Sequence, residues 1–154
     1  MRLATARLVL RDPAPRDAEA LAAYQSDARY LEHYPEPPDA DAIIATACGW
    51  AAESPRRNHQ FVVTLDGAVI GCAGVREAGD LGIELDPRHW GEGYAREALT
   101  ALIAFARDEL GVARLTASTT ATNVRAHRLV ERLGFARATS PDEEVRFELA
   151  LDSA

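Results

Sequence analysis

The chain has 154 residues, of which 47% are hydrophobic and 27% charged, and carries a net charge of −7. This balance suits one folded domain spanning residues 1–154 and excludes a disordered chain. No apolar stretch approaches the ~20 residues that cross a bilayer, and the acidic balance argues against sequence-independent nucleic-acid binding. Met1 to Val9 has no apolar core of the kind a secretory signal needs. The two cysteines, Cys48 and Cys72, stand far apart, and the four histidines show no metal-ligand spacing. Neither a metal nor a disulfide is therefore expected, and a reducing, cytoplasmic setting is the default.

In chain order, Arg7 to Arg11 alternates as a half-buried strand does, and the prolines at 13 and 15 end it. Ala18, Leu21, Ala22 and Gln25 recur at helical spacing after Pro15. Tyr30 to Asp39 holds three prolines and reads as a loop. A second helix is predicted from about Asp39 to Ala52. Gln60–Leu65 and Ala68–Val75 are two strands joined by Asp66-Gly67, a two-residue hairpin signal. Leu81–Leu85 is a short strand. Tyr94–Leu110 is the clearest helix, with Ala95, Ala98, Leu99, Leu102, Ile103, Ala106 and Leu110 on one face and Gly111 after its end. Val112–Thr119 is a strand, and Asn123 caps a helix that Gly134 ends. Phe135–Ala138 and Val145–Leu151 close the chain around a Ser140–Glu144 loop. The order is that of a mixed α/β (α+β) domain without an internal linker.

The stretch richest in chemistry is Asp86 to Ala98. A strand ends, glycines stand at 91 and 93, and the strongest helix starts at once. The first amides of a helix lack internal partners, and the helix dipole adds positive potential there, so such a turn suits an anion. Gly-Lys-Ser/Thr is absent, so the turn is no Walker A loop. Arg96 occupies the third glycine position of the dinucleotide fingerprint, so it is not that either. A strand-to-helix turn that binds nothing is the alternative.

Arg88-x-x-Gly91-x-Gly93 resembles the Arg/Gln-x-x-Gly-x-Gly/Ala signature of the GNAT acetyltransferases. The wider string Trp90-Gly91-Glu92-Gly93-Tyr94-Ala95-x-Glu97-Ala98-Leu99 looks like the RimJ/RimL branch, the ribosomal-protein N-terminal acetyltransferases. Thr5-x-Arg7-Leu8-x-Leu10-Arg11 resembles the opening strand of that branch, and Asn123 with Glu131 to Phe135 its C-terminal motif. The three matches fall in the expected order.

The resemblance implies a mixed central sheet with two splayed parallel strands, Leu81–Leu85 and Ala113–Thr119, and flanking helices. It implies acetyl-CoA as cosubstrate. Ile83 and Leu85 are then expected to offer backbone groups to the pantetheine arm. The pyrophosphate is expected over Arg88, His89, Trp90, Gly91, Glu92, Gly93, Tyr94 and Ala95. Asn123 matches a residue near the arm, a role compatible with a helix cap.

The implied reaction is direct attack of an amine on the thioester, with a protein N-terminus or a small-molecule amine as acceptor. The sequence departs from the family's acid/base positions. Val130 stands seven residues after Asn123 where many relatives have Tyr, Ser118 stands five before it in place of Glu, and Ala126 three after it in place of Ser. Glu84 remains as the candidate base, on the opposite strand parity to Ile83 and Leu85; a solvated or ion-paired Glu is the alternative. His33 and Tyr34, together with Trp50 and the Ser140–Glu144 loop, are candidates for the acceptor pocket. The rival reading is a non-catalytic acyl-CoA-binding module. A homodimer is an assembly the sequence leaves open.

Overall fold

A computed structural model describes residues 1–138 and 144–151. Strands β1 (Arg2–Ala4) and β2 (Leu8–Arg11) open the chain, and a single 3-10 turn at Pro15–Asp17 leads into α1 (Ala18–Gln25). Helices α2 (Ala28–His33) and α3 (Ala40–Ala51) follow, then β3 (His59–Leu65), β4 (Ala68–Val75) and β5 (Leu81–Leu85). Helix α4 (Tyr94–Asp108), β6 (Arg114–Thr120), α5 (Val124–Arg132), β7 (Ala136–Ala138) and β8 (Glu144–Ala150) complete it.

Helix α2 is a departure from the sequence reading, which makes Tyr30–Asp39 one loop. The prolines all lie at 35 or later, so only the stretch beyond His33 is barred from helix. Asp27 caps α2 by accepting the Arg29 N–H at 2.8 Å. Strand β1 is also absent from that reading, being three residues long and largely exposed.

The strands form two antiparallel sheets. One has the order β1-β2-β3-β4-β5, the other β6-β8-β7. Both faces of the larger sheet are covered. Phe61, Val63, Ala73, Val75, Leu81 and Leu85 pack with Leu99, Leu102 and Phe105 of α4. Val62 and Cys72 pack on the other side with Leu21 and Tyr24 of α1, Tyr30 of α2 and Ile44 of α3. A bulge opposite Val63/Thr64 shifts the alternation of β4, so Ile70 joins the α4 side while Val69 lies against the other cluster.

Among the described residues the two sheets meet at one parallel bridge, Asp80 with Thr116. The Thr116 N–H donates to the Gly79 carbonyl at 2.9 Å, and its hydroxyl donates to the Asp80 carboxylate at 2.5 Å. Past this point β6 pairs with β8 over its whole length, and β5 pairs only with β4. Two parallel strands joined at one end thus diverge into a V. The fold joins antiparallel sheets through that single parallel contact.

Gly71 lets β5 lie close to β4. A Cβ built on Gly71 would fall 2.1 Å from the Glu84 carbonyl oxygen and 2.7 Å from Leu85 Cδ2. Gly71→Ala is expected to push β5 outward and lower stability by ~1–3 kcal/mol in urea unfolding. Gly82→Ala, where a Cβ meets nothing within 4 Å, is the control and should stay within about 0.5 kcal/mol of the parent. Equal effects from the two would contradict the steric account.

Candidate active site

The V encloses a cleft of about 580 Å³. One wall is β5 with the turn into α4. The other is Ala117–Thr119 of β6 with α5, and Phe147 of β8 also borders it.

The backbone parity of β5 follows from its bonds. Asp80 accepts from Arg76 N–H, and Asp86 N–H donates to Ile70, so even-numbered residues face β4. Leu81, Ile83 and Leu85 therefore turn their backbone groups towards the cleft. The Leu85 carbonyl already has a partner, the Trp90 indole N–H at 3.1 Å. That leaves the Leu85 N–H and both groups of Ile83 at the cleft wall.

The turn at 86–93 is built in two parts. Asp86 caps a 3-10 turn at Pro87–His89, accepting the Arg88 N–H at 3.0 Å. The His89 N–H donates to Asp86, and the Trp90 N–H to Pro87. Gly91 and Gly93 then adopt φ +81° and +82°, the left-handed region that a side chain disfavours. Gly93 is the N-cap of α4 and offers no side-chain cap. The amides that open α4 thus stand at its positive end.

This narrows the sequence expectation. His89, Trp90, Gly91, Gly93, Tyr94 and Ala95 line the cleft, whereas Arg88 and Glu92 do not. Arg88 is drawn to Asp86, with a 2.6 Å ion pair, and the amides of 88, 89 and 90 are spent inside the turn. Trp50 also lies elsewhere, on α3 under the Arg76 guanidinium at 4.1 Å. Residues 139–143 of the proposed acceptor loop lie outside the described residues.

Asn123 lines the cleft and caps α5, accepting the Ala126 N–H at 3.3 Å. Ser118, Ala126 and Val130, the positions at which the sequence departs from the family pattern, line the cleft too; Ala126 and Val130 have no group that can exchange a proton, and Ser118 has only a hydroxyl. Arg125, on α5, lays its guanidinium over the Trp90 ring at 4.3 Å across the cleft. The sequence reading missed it, because one Arg among several on an exposed helix carries no signal.

Glu84 projects to the α1/α2 side. The Tyr24 hydroxyl donates to its Oε2 at 2.6 Å, Gln25 donates to the same oxygen at 3.4 Å, and the Tyr30 hydroxyl reaches Oε1 at 3.5 Å. Burial pushes the Glu84 carboxyl up from its ordinary value, and these three donors hold it back in part. Burial also drives the Tyr24 phenol far above its usual range, so it stays a neutral donor. His33 and Tyr34, at the end of α2, border the same part of the cleft, with Tyr34 stacked on Tyr30 at 4.7 Å. The sequence reading puts Tyr30 in a loop and singles out no role for Tyr24, and their partnership with a carboxylate some 54–60 positions away has no local signature.

Comparison with known proteins gives this geometry a family. The acetyltransferase (GNAT) domain model matches residues 7–136. The chain belongs to the GNAT acetyltransferases. An uncharacterized N-acetyltransferase of Bacillus subtilis, YoaA, is 29% identical over 147 residues, covering 86% of this chain and 81% of that protein. An acetyltransferase structure from Agrobacterium tumefaciens superposes with a TM-score of 0.80 at 25% identity, covering 97% of this chain and 94% of that one. RimL, a ribosomal L7/L12 α-N-protein acetyltransferase solved with coenzyme A, shares the fold at a TM-score of 0.83 and 14% identity over the full length of both chains. Among the described residues of this GNAT chain no group of three or more His, Cys, Asp or Glu is placed to hold a metal, and no helix is long and apolar enough to cross a membrane.

The raised Glu84 pKa sets a sign for stability. A carboxyl that is easier to protonate when folded supports folding at low pH and loses that support as pH rises through its folded pKa. Glu84→Gln should therefore gain on the parent from about pH 4 upward, levelling off above the folded pKa. Urea unfolding across pH 4–8 checks this; a difference that shrinks with rising pH would contradict it.

Proposed function

We propose that the protein transfers the acetyl group of acetyl-CoA to a primary amine, the acceptor being a protein N-terminus or a small-molecule amine. The observation that carries the proposal is the placement of Glu84. It borders the cleft on the wall strand whose outward amides are free, and Tyr24 orients it at 2.6 Å. An amine is protonated at neutral pH and must lose a proton before it can attack. A carboxylate whose pKa burial has raised is better matched to that task than an ordinary one.

On this reading the pantetheine arm pairs along Ile83 and the Leu85 N–H. The pyrophosphate rests on the amides from Gly91 into the first turn of α4. Glu84 takes one proton from the ammonium directly or through water, and the free amine nitrogen attacks the thioester carbonyl. The tetrahedral adduct collapses to the amide as the C–S bond breaks, the second nitrogen proton passing to the departing CoA sulfur or to water. Positioning and backbone N–H groups supply the rest. The absence of a carboxylate, imidazole or phenol at 118, 126 and 130 supports Glu84 as base, and equally favours a second reading, an acyl-CoA-binding module without catalysis.

Release of CoA thiol over a panel of primary amines separates the two. Turnover above background with at least one amine is expected. Its absence in protein that binds CoA supports the module. With an active amine, Glu84→Gln should lose at least 30-fold at pH 7, a floor set just below the ~10²–10⁴-fold worth of a general base, and the loss should shrink at high pH. A folded variant keeping more than half its activity rules Glu84 out as the base.

Cofactor binding has its own test. A Cβ at Gly93 would sit at φ +82° and 3.3 Å from the Arg7 guanidinium, so Gly93→Val forces the turn to move. We expect calorimetry to show CoA binding weakened at least tenfold, about 1.4 kcal/mol. Unchanged affinity in folded Gly93→Val, or tighter binding of NAD than of CoA to the parent, would defeat this part of the proposal.

A further inference from the structure

Arg7 lies between β1 and β2, some 85–90 positions from the turn, yet its contacts converge on that turn. Its Nε donates to Glu97 Oε1 at 2.8 Å, and its backbone N–H donates to Glu97 Oε2 at 2.8 Å. Its Nη1 donates to the Glu92 carbonyl at 3.0 Å. Its guanidinium lies over the Tyr94 ring, 4.5 Å from the centroid. Nη2 stands 3.3 Å from where a Gly93 Cβ would be, so a side chain there would crowd the guanidinium. Thr5 adds a second tie by donating its hydroxyl to Glu97 Oε2.

Two physical effects follow from this arrangement. First, a turn with two left-handed glycines is conformationally loose by itself, and a ligand that needs its amides converged must bear the ordering cost. Arg7 grips the turn from both sides of Gly93, at the Glu92 carbonyl before it and at the Tyr94 ring after it. Second, Glu97 sits in the first turn of α4, where its negative charge would oppose an arriving phosphate. Partial desolvation works against ionisation of Glu97, but the bonds from Thr5 and Arg7 outweigh it and hold the carboxyl below the ordinary range. Arg7 therefore offsets the charge of a true carboxylate and draws it to the β1–β2 side. Arg7 itself does not border the cleft.

We infer that Arg7, with Glu97 and Thr5, is a positioning device that holds the Gly91–Tyr94 turn in the conformation that receives the cosubstrate's pyrophosphate. The inference rests on the proposed cofactor reading and goes beyond it. Arg7 acts through the turn and not on the ligand, so its effect must follow the pyrophosphate and spare the pantetheine end.

The test compares CoA with pantetheine, which lacks the nucleotide and pyrophosphate. Dissociation constants are measured for both, by calorimetry for CoA and by NMR titration for pantetheine. For Arg7→Ala we expect CoA binding to weaken at least fivefold and pantetheine binding to change less than twofold. Arg7→Lys keeps the charge but loses the fork and the ring stacking, so it should recover less than half of the loss. Glu97→Gln, which keeps the shape of the side chain, should weaken CoA at least threefold and serves as the readout if Arg7→Ala does not fold. Equal weakening of both ligands would make Arg7 a general structural residue and overturn the inference, as would unchanged CoA affinity in both folded variants. If the parent protein itself fails to bind CoA, the cofactor reading falls, and this inference falls with it.

Discussion

Thr116 and Asp80 bind β6 to β5 at one point, and everything that makes the cleft depends on the strands parting beyond it. A strand edge buried without partners is costly, so chains normally pair it or cover it. Here β5 stays open on the cleft side because β6, paired with β8 along its far edge, bends away from it beyond Thr116. The indole of Trp90 satisfies one carbonyl of the open edge, at Leu85. The remaining groups lie along a cleft wall, where an extended ligand bearing amides would complete the sheet. The V is thus a consequence of sheet pairing, and the free edge is its chemical content.

The two ends of the cleft are electrostatically opposite. Near the start of α4 the unpaired amides and the helix dipole favour an anion. The acidic side chain within that first turn is engaged by Arg7. On the α1/α2 side a single carboxylate is held among phenols, with burial raising its pKa and hydrogen bonds restraining the rise. A molecule with a phosphate-bearing end and a reactive acyl end suits that polarity, and so does an approaching amine. The family match over residues 7–136 establishes the acetyltransferase class.

Much of this was legible in the sequence wherever the signal was local. The apolar face of α4, the Asp66-Gly67 hairpin and the Asn123 cap appear where periodicity and turn chemistry place them. Strand parity was enough to separate Glu84 from Ile83 and Leu85. Proline was over-read: three prolines after residue 34 concealed a capped helix before them, and with it the place of Tyr30 beside Glu84. The glycine motif marked the turn but not its division, in which the amides of 88 to 90 are consumed and Arg88 turns to Asp86. Contacts between distant segments, such as Tyr24 with Glu84 or Arg7 with Glu97, arise only from the tertiary arrangement.

The proposed function requires that the open edge of β5 and the amides beginning α4 receive the cosubstrate together. Amide hydrogen exchange, resolved by residue with and without CoA, tests it most directly. CoA is then expected to slow exchange at Ile83, Leu85 and the amides from Gly91 to Arg96, while Arg88, His89 and Trp90, whose N–H groups are already bonded, change little. Protection confined to other surfaces, or slowing at 88–90 without any at Ile83, would contradict it.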